Sequence, residues 1–130
     1  MITVHPMTDK EKVGRILGKI PDAENDAVVL TMQENGIQMG YVAVDVKSSV
    51  LRMHTMQVAG CDDFSNLDEH SRMCAEFLVK SAASYAANNG AYKMRSFVSG
   101  LETFLKTMGF EQENDNMSID LIKIVKYCGH

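Results

Sequence analysis

The sequence predicts one α/β (α+β) domain built on a mixed, mostly antiparallel sheet. Three observations support this prediction. The 130 residues suffice for one hydrophobic core, three β-branched stretches separated by short turns form a meander, and a long helical segment leads from them into further strands. Because a strand reached over a helix pairs in parallel with its predecessor, the sheet is expected to be mixed. Residues 1–130 are therefore assigned to a single domain.

The first half of the chain is predicted to form a strand, a helix and the meander. Residues 2–5 alternate in polarity and form the strand. Thr8 and Glu11 have the spacing of a capping box, which opens a helix that ends near Gly18. The predicted meander strands are residues 27–33, 37–46 and 50–58, with turns at 34–36 and 47–49. Asn35-Gly36 tolerates the positive φ of a tight hairpin turn.

The second half begins with a loop at residues 59–66 and a helix of about 24 residues. Asn66 and Glu69 repeat the capping spacing, and Asn89-Gly90 ends the helix. The apolar stripe expected to cover the sheet is Cys74, Phe77, Leu78, Ala82, Tyr85 and Ala86. The elements predicted next are a strand at 91–98, a helix at 99–108 capped by Ser99 and Glu102, strands at 110–112 and 117–120, and a C-terminal segment that fits either helix or strand.

Composition narrows the function classes. Seventeen acidic residues against thirteen basic ones argue against a general nucleic-acid or anionic-membrane binder, which needs a dense basic face. No apolar run approaches the roughly 20 residues that span a bilayer, and the first twenty residues lack a secretory signal. Cys61, Cys74 and Cys128 have no disulfide spacing, which favours free thiols in a reducing compartment. We therefore expect a cytoplasmic protein with no nucleic-acid or membrane partner.

Residues 101–110 read Leu-Glu-Thr-Phe-Leu-Lys-Thr-Met-Gly-Phe. This motif and the order of elements resemble the GCN5-related N-acetyltransferase (GNAT) superfamily, whose members transfer an acyl group from acyl-coenzyme A to an amine. Residues 101–110 are similar to the family's late-helix pattern A-x-x-F-Y-x-x-x-G-F. Phe104, Gly109 and Phe110 match that pattern, whereas Leu105 stands at the tyrosine position. The resemblance implies helices on both faces of the sheet and a central strand pair that splays apart.

The resemblance also implies where the co-substrate, acetyl-CoA or another acyl-CoA, would bind. Leu78-Val79 followed eleven residues later by Gly90 has the family's spacing in the long helix. That spacing places the acyl-CoA signature Q/R-x-x-G-x-G/A on His70, Ser71, Arg72, Met73, Cys74 and Ala75. Only Ala75 matches, and the segment leading into the helix carries Asp62, Asp63, Asp68 and Glu69. The pantetheine arm would pair with the fourth strand at Met56, Gln57 and Val58.

His54 is the candidate catalytic base, since imidazole has a suitable pKa for taking a proton from an amine. Strand alternation places His54 on one face with Arg52, Met56 and Val58. A structural histidine is the alternative. His70 and Cys74, four residues apart on a helix, have a spacing that can hold a metal, but no second ligand pair accompanies them and no metal site is predicted. Arg52, Lys93 and Arg95 form either a basic strip for an anionic ligand or solvated strand charges.

The resemblance leaves two candidate functions. The first is an acyl-CoA-dependent N-acetyltransferase that acts on a small-molecule or peptide amine. The second is a non-catalytic domain of the same fold that has lost the phosphate site and binds a protein or small ligand in the same cleft. The sequence leaves the oligomeric state open, a homodimer included.

Overall fold

The computed structural model describes residues 2–61 and 64–127, so Asp62, Asp63 and Cys128 lie outside the described residues. The helices are α1 (Lys10–Leu17), α2 (Glu69–Asn88), α3 (Glu102–Thr107) and α4 (Leu121–Tyr127), and a 3-10 turn covers Phe64–Asn66. The strands are β1 (Ile2–Pro6), β2 (Val28–Glu34), β3 (Ile37–Lys47), β4 (Val50–Val58), β5 (Lys93–Ser96), β6 (Glu111–Glu113) and β7 (Asn116–Asp120). The C-terminal segment is thus helical.

The described strands form one seven-stranded sheet in the order β1-β2-β3-β4-β5-β7-β6. Every neighbouring pair is antiparallel except β4 and β5, which the chain connects over α2. This arrangement confirms the predicted mixed sheet, including the parallel pair at the crossover. Asn35 and Gly36 form the first hairpin turn, with φ of 53° and 83°.

Helix α2 covers one face of the sheet with small and branched apolar side chains. The apolar α2 residues buried there are Cys74, Ala75, Leu78, Val79, Ala82, Ala83 and Ala86. Phe77, which the predicted stripe included, is 39% exposed. None of the helices in residues 2–61 and 64–127 has the length and apolar character needed to cross a membrane.

The helix starts differ from the prediction by one or two residues. The observed caps are Asp9, Asp68 and Leu101 rather than Thr8, Asn66 and Ser99. In α1 and α2 the cap is an aspartate, because a carboxylate accepts the free N–H groups of the first turn and also interacts favourably with the positive end of the helix dipole. Helix α2 consequently has 20 residues rather than about 24.

Candidate functional site

The central strands β4 and β5 separate halfway along β4. They pair in parallel from Val50 to Met53, and the Phe97 N–H donates to the Met53 carbonyl at 2.9 Å. Beyond that bond β4 continues to Val58, whereas β5 has ended at Ser96. The structure therefore has the splayed central pair that the resemblance implied, and the predicted strand at 91–98 is shorter because it leaves the sheet at this point.

A β-bulge lies where the two strands part. Ala43 of β3 pairs with Thr55 and Val44 pairs with Met53, so His54 is an extra residue on β4. Such a bulge moves the in-and-out alternation of side chains by one position and increases the local bend. His54 therefore stands at the point where the direction of β4 changes.

Because of the bulge, the prediction that His54 shares a face with Met56 and Val58 is wrong. Val58 pairs with Gly40, and a Cβ at Gly40 would lie 3.3 Å from Leu78 Cδ1 of α2. Paired residues of neighbouring strands point to the same face, so Val58, and Met56 two residues before it, face α2. Both side chains are buried in the core there. His54 instead lines a cavity on the α1 face.

The second half of β4 presents backbone groups toward the gap. The Ala59 N–H donates to the Met39 carbonyl of β3 at 2.8 Å. Since backbone groups alternate in direction along a strand, the Gln57 N–H also faces β3, and the N–H groups of Met56 and Val58 face the side on which β5 has ended. The Val58 carbonyl on that side accepts the Cys61 N–H at 3.1 Å.

A cavity of about 630 Å³ lies between α1 and the sheet. Its lining residues are Met7, Lys12, Arg15, Ile16, Lys19, Ile20, Gln38, Tyr41, His54 and Thr55. Helix α1 buries none of its residues completely, because it stands off the sheet at this cavity. The bulge residue His54 and its neighbour Thr55 thus belong to the wall of this cavity.

His54 is held by a ring and a carboxylate. Its side chain is 7% exposed, and its imidazole stacks on Phe97 with ring centroids 5.8 Å apart. Its Nε2 lies 3.0 Å from Asp45 Oδ2, at ion-pair distance but without hydrogen-bond alignment. This placement fits a histidine oriented by a carboxylate at a cavity wall, and it equally fits a structural histidine.

Asp45 is completely buried and joins His54 to a charged network. Arg52 donates to both of its carboxylate oxygens, from Nε at 2.8 Å and Nη2 at 2.7 Å, and the Glu24 N–H donates at 2.9 Å. Arg52 also donates to Asp22 Oδ2 at 2.7 Å. Burial alone would raise the pKa of the Asp45 carboxyl, but these hydrogen bonds outweigh burial and hold the pKa below its usual range.

The predicted basic strip is wrong, because each of its three cations is paired with carboxylates. The alternative of solvated strand charges is wrong for Arg52, whose side chain is 9% exposed, but not for Arg95, whose side chain is 33% exposed. Arg52 pairs with Asp45 and Asp22. Lys93 lies 2.5 Å from Glu113 Oε2, and Arg95 donates to the other oxygen of the same carboxylate.

The start of α2 is capped by the chain itself. Asp68 Oδ1 accepts the Ser71 N–H at 2.7 Å, and this bond holds the pKa of the Asp68 carboxyl below its usual value. The guanidinium of Arg72 lies 5.8 Å from the centroid of the Phe104 ring. A carboxylate therefore already occupies one N–H group of the helix end on which the resemblance places a phosphate cradle.

The six signature positions divide between the core and the surface of α2. His70, Arg72 and Met73 line an open cavity of about 580 Å³ together with Glu69 and Glu76. Ser71, Cys74 and Ala75 are buried. The His70 Nε2 lies 3.6 Å from Glu34 Oε2, and burial raises the pKa of the Cys74 thiol.

Two features of the site were not predicted. Asp45 lies in a run of strand residues that is otherwise apolar, and its polarity there was the available signal. The basic residues at positions 12, 15 and 19, in α1 and the turn after it, recur at helical spacing, but only the fold shows that they line a cavity.

The structure is similar to solved acetyltransferases. A GNAT-family protein from Desulfovibrio desulfuricans matches with a TM-score of 0.65 and 9% identity over 93% of this chain and 99% of that one. Ribosomal-protein-S18-alanine N-acetyltransferase from Escherichia coli matches with 0.67 and 8% identity over 93% and 94%. PaiA N-acetyltransferase from Thermoplasma acidophilum, in complex with coenzyme A, matches with 0.67 and 12% identity over 92% and 99%.

No protein-family model matches the sequence, and no curated protein matches it either. At these identities the structural similarity shows the fold alone. The chain has the GNAT fold, as the late-helix motif and the order of elements predicted.

Proposed function

We propose that this protein is an acyl-CoA-dependent N-acetyltransferase that transfers an acetyl group to an amine. The observation that carries the proposal is the opening between β4 and β5 beside the His54 bulge, where the N–H groups of Met56 and Val58 face the gap. An extended pantetheine arm can pair with such an open strand as an added strand does, through main-chain groups. The shared fold supports the proposal, since one of the similar structures holds coenzyme A.

The reaction needs few side chains. The amine nitrogen attacks the thioester carbonyl, a C–N bond forms, and the C–S bond breaks to release the coenzyme A thiolate. A backbone N–H on β4 near Met56 stabilises the carbonyl oxygen as it becomes negative. His54 or a water takes the proton from the amine. Leu105, at the position of the family's tyrosine, is buried and apolar, so water supplies the proton to the thiolate.

The phosphate groups of the co-substrate would lie at the first turns of α2. His70, Arg72 and Met73 border the open cavity there, and Arg72 is the cation that can pair with a phosphate. Because Asp68 accepts the Ser71 N–H, this end contributes less to binding than a glycine-rich helix start does. The proposed affinity therefore depends mainly on backbone pairing at Met56 and Val58, because the expected third position, Gln57, turns its N–H toward β3.

A non-catalytic domain that binds a ligand in the same cleft is the second candidate. The observation that favours it is the Asp68 cap, since a carboxylate in the anion position repels a phosphate.

Titration with acetyl-CoA separates the two candidates. The enzyme proposal expects heat of binding and a rise in melting temperature at concentrations up to about 1 mM. Amide hydrogen exchange should slow at Met56 and Val58 on binding, while exchange at Thr55 and Gln57, which face β3, serves as the internal control. The absence of both heat and a melting shift at that concentration would rule out the enzyme.

The role of His54 is tested in the same protein by thiol release in the presence of an amine. As a general base, His54 is expected to contribute about a hundredfold to ten-thousandfold to kcat. His54→Gln should lower kcat by an amount in that range while acetyl-CoA affinity stays unchanged. An unchanged pH profile and rate in His54→Gln would assign proton removal to water and leave His54 a structural role.

A further inference from the structure

The cavity between α1 and the sheet has a basic wall. Lys12, Arg15 and Lys19 line it, at a spacing that places them along one side of α1 and the turn after it. No carboxylate belongs to its described lining. Within the part of the chain that the structure describes, none of the three cations forms an ion pair.

This wall contrasts with the strand cations of the same domain. Arg52, Lys93 and Arg95 are each bound by carboxylates, and the whole chain has a net charge of −4. Three cations around one concave space focus a positive potential into it, because the low-dielectric walls screen the charges less than open water does. The described lining of this cavity therefore favours a small anion.

The same cavity reaches the proposed reaction centre. Tyr41, His54 and Thr55 line it from the sheet side, and Ile16 and Ile20 add apolar side chains to the lining. A ligand that spans the cavity thus has one end at the basic wall and the other beside the bulge of β4.

We propose that the acceptor is a small amine that also carries a carboxylate or phosphate group. The anionic group pairs with Lys12, Arg15 and Lys19, and the amine lies toward His54. This inference rests on the proposed function for the acetyl transfer itself: the amine forms the C–N bond, coenzyme A leaves as its thiolate, and the amine proton passes to His54 or water.

The basic wall also selects the reactive form of the amine. Nearby cations disfavour an ammonium ion and so lower the pKa of a bound amine, which increases the neutral fraction that can attack. An amine without an anionic group meets only this repulsion. An amine with one gains the ion pairs as well, so the site discriminates between the two.

Matched ligand pairs test the inference by calorimetric titration without acetyl-CoA. Glucosamine 6-phosphate against glucosamine tests for phosphate, and β-alanine against propylamine tests for carboxylate. We expect the anionic member of at least one pair to bind about tenfold more tightly, with a preference that falls as salt rises. The pair that shows the preference identifies the anionic group.

Substitutions test whether the cations of the cavity cause the preference for the anionic ligand. Arg15→Ala/Lys19→Ala should abolish it, because both side chains line the cavity and are exposed, so the fold is retained. Lys10→Ala removes one positive charge from α1 at a position outside the cavity lining, and it should keep the preference for the anionic ligand. Circular dichroism of each variant confirms that α1 and the sheet are present.

Equal binding of both members of each pair, no binding of either, or a preference that survives the double substitution would overturn the inference. The proposed function fails separately. A preference for the anionic ligands without acetyl-CoA binding supports the anion site and rules out the acetyltransferase. Acetyl-CoA binding without that preference supports the acetyltransferase and rules out the anion site.

Discussion

The cavity beside α1 and the first turn of α2 have opposite charges. Three cations and no described carboxylate line the cavity, whereas α2 begins with Asp68 and Glu69, and Asp68 occupies the Ser71 N–H. A helix start normally attracts anions, yet here a carboxylate of the chain holds that position. Individual side chains therefore decide the electrostatics of a shared fold, and the fold alone does not locate an anion-binding site.

The two regions also differ in how their carboxylates are held. Asp45, behind the cavity, is completely buried and accepts hydrogen bonds from Arg52 and the Glu24 N–H. Asp68 is exposed and accepts the Ser71 N–H. Removal of Asp45 should therefore affect folding, and removal of Asp68 should affect mainly what the helix start can bind.

The largest effect is expected for Asp45→Ala. The substitution leaves the Arg52 guanidinium, which is buried, without its bidentate partner, and breaking a buried pair from one side costs about 3–5 kcal/mol. Urea unfolding followed by circular dichroism measures the loss. Asp22→Ala is the control, since Asp22 also binds Arg52 but is 73% exposed and should cost less than about 1 kcal/mol. Equal losses in the two variants would show that burial of Asp45 is unimportant.

The lowered pKa of Asp45 predicts that the free energy of unfolding depends on pH. The pKa of Asp45 is lower in the folded protein than in the unfolded chain, so the unfolded state binds more protons in acid. The contribution of Asp45 to stability is complete above its unfolded pKa of about 3.9 and is lost as the pH falls through the folded pKa. Unfolding free energy measured from pH 6 down to acid should fall less steeply in Asp45→Asn. An identical slope would contradict the pairing.

The next effect tests the strands that lie between the two regions. A Cβ at Gly40 would be 2.4 Å from the Gln57 carbonyl oxygen and 3.3 Å from Leu78 Cδ1, so Gly40→Ala must displace β4 or α2. We expect a loss of about 1–3 kcal/mol in the free energy of unfolding and altered hydrogen exchange at the Met56 amide.

Gly14→Ala in α1 is the matched control. No atom lies within 4 Å there, so helix propensity should make it stabilising by about 0.5–1 kcal/mol. Destabilisation by both would refute the steric explanation.

The sequence predicted the sheet more accurately than the site. The β-branched stretches of β2, β3 and β4, the Asn35-Gly36 turn and the apolar stripe of α2 are local patterns, which a single chain displays directly. The splay was implied by the late-helix motif around Phe104, not by any local pattern.

The site depends on features that local patterns do not display. A one-residue bulge at His54 reversed the faces expected for Met56 and Val58, because alternation counted along β4 contains no signal for an inserted residue. The pairing of Lys93 and Arg95 with Glu113 could be predicted only with the register of β5, β6 and β7, which local patterns do not give. Among the helix starts, a carboxylate one or two residues downstream displaced the predicted Thr8 and Asn66 caps.

The smallest effect directly tests the charge difference between the regions. Asp68→Ala both removes a negative charge and frees the Ser71 N–H, whereas Asp68→Asn removes the charge and keeps a capping oxygen. Under the proposed function, affinity for acetyl-CoA should rise about twofold to fivefold in Asp68→Ala and by less in Asp68→Asn. Glu69→Gln removes a neighbouring charge, and the Glu69 carboxylate accepts no described N–H of this turn, so this variant should behave like Asp68→Asn.

Calorimetric titration measures all three variants against the wild type, with melting temperature as the check on folding. If Asp68→Ala binds no better than Glu69→Gln, occupation of the Ser71 N–H does not limit phosphate binding, and the weakness of the α2 start must be attributed to its net charge instead.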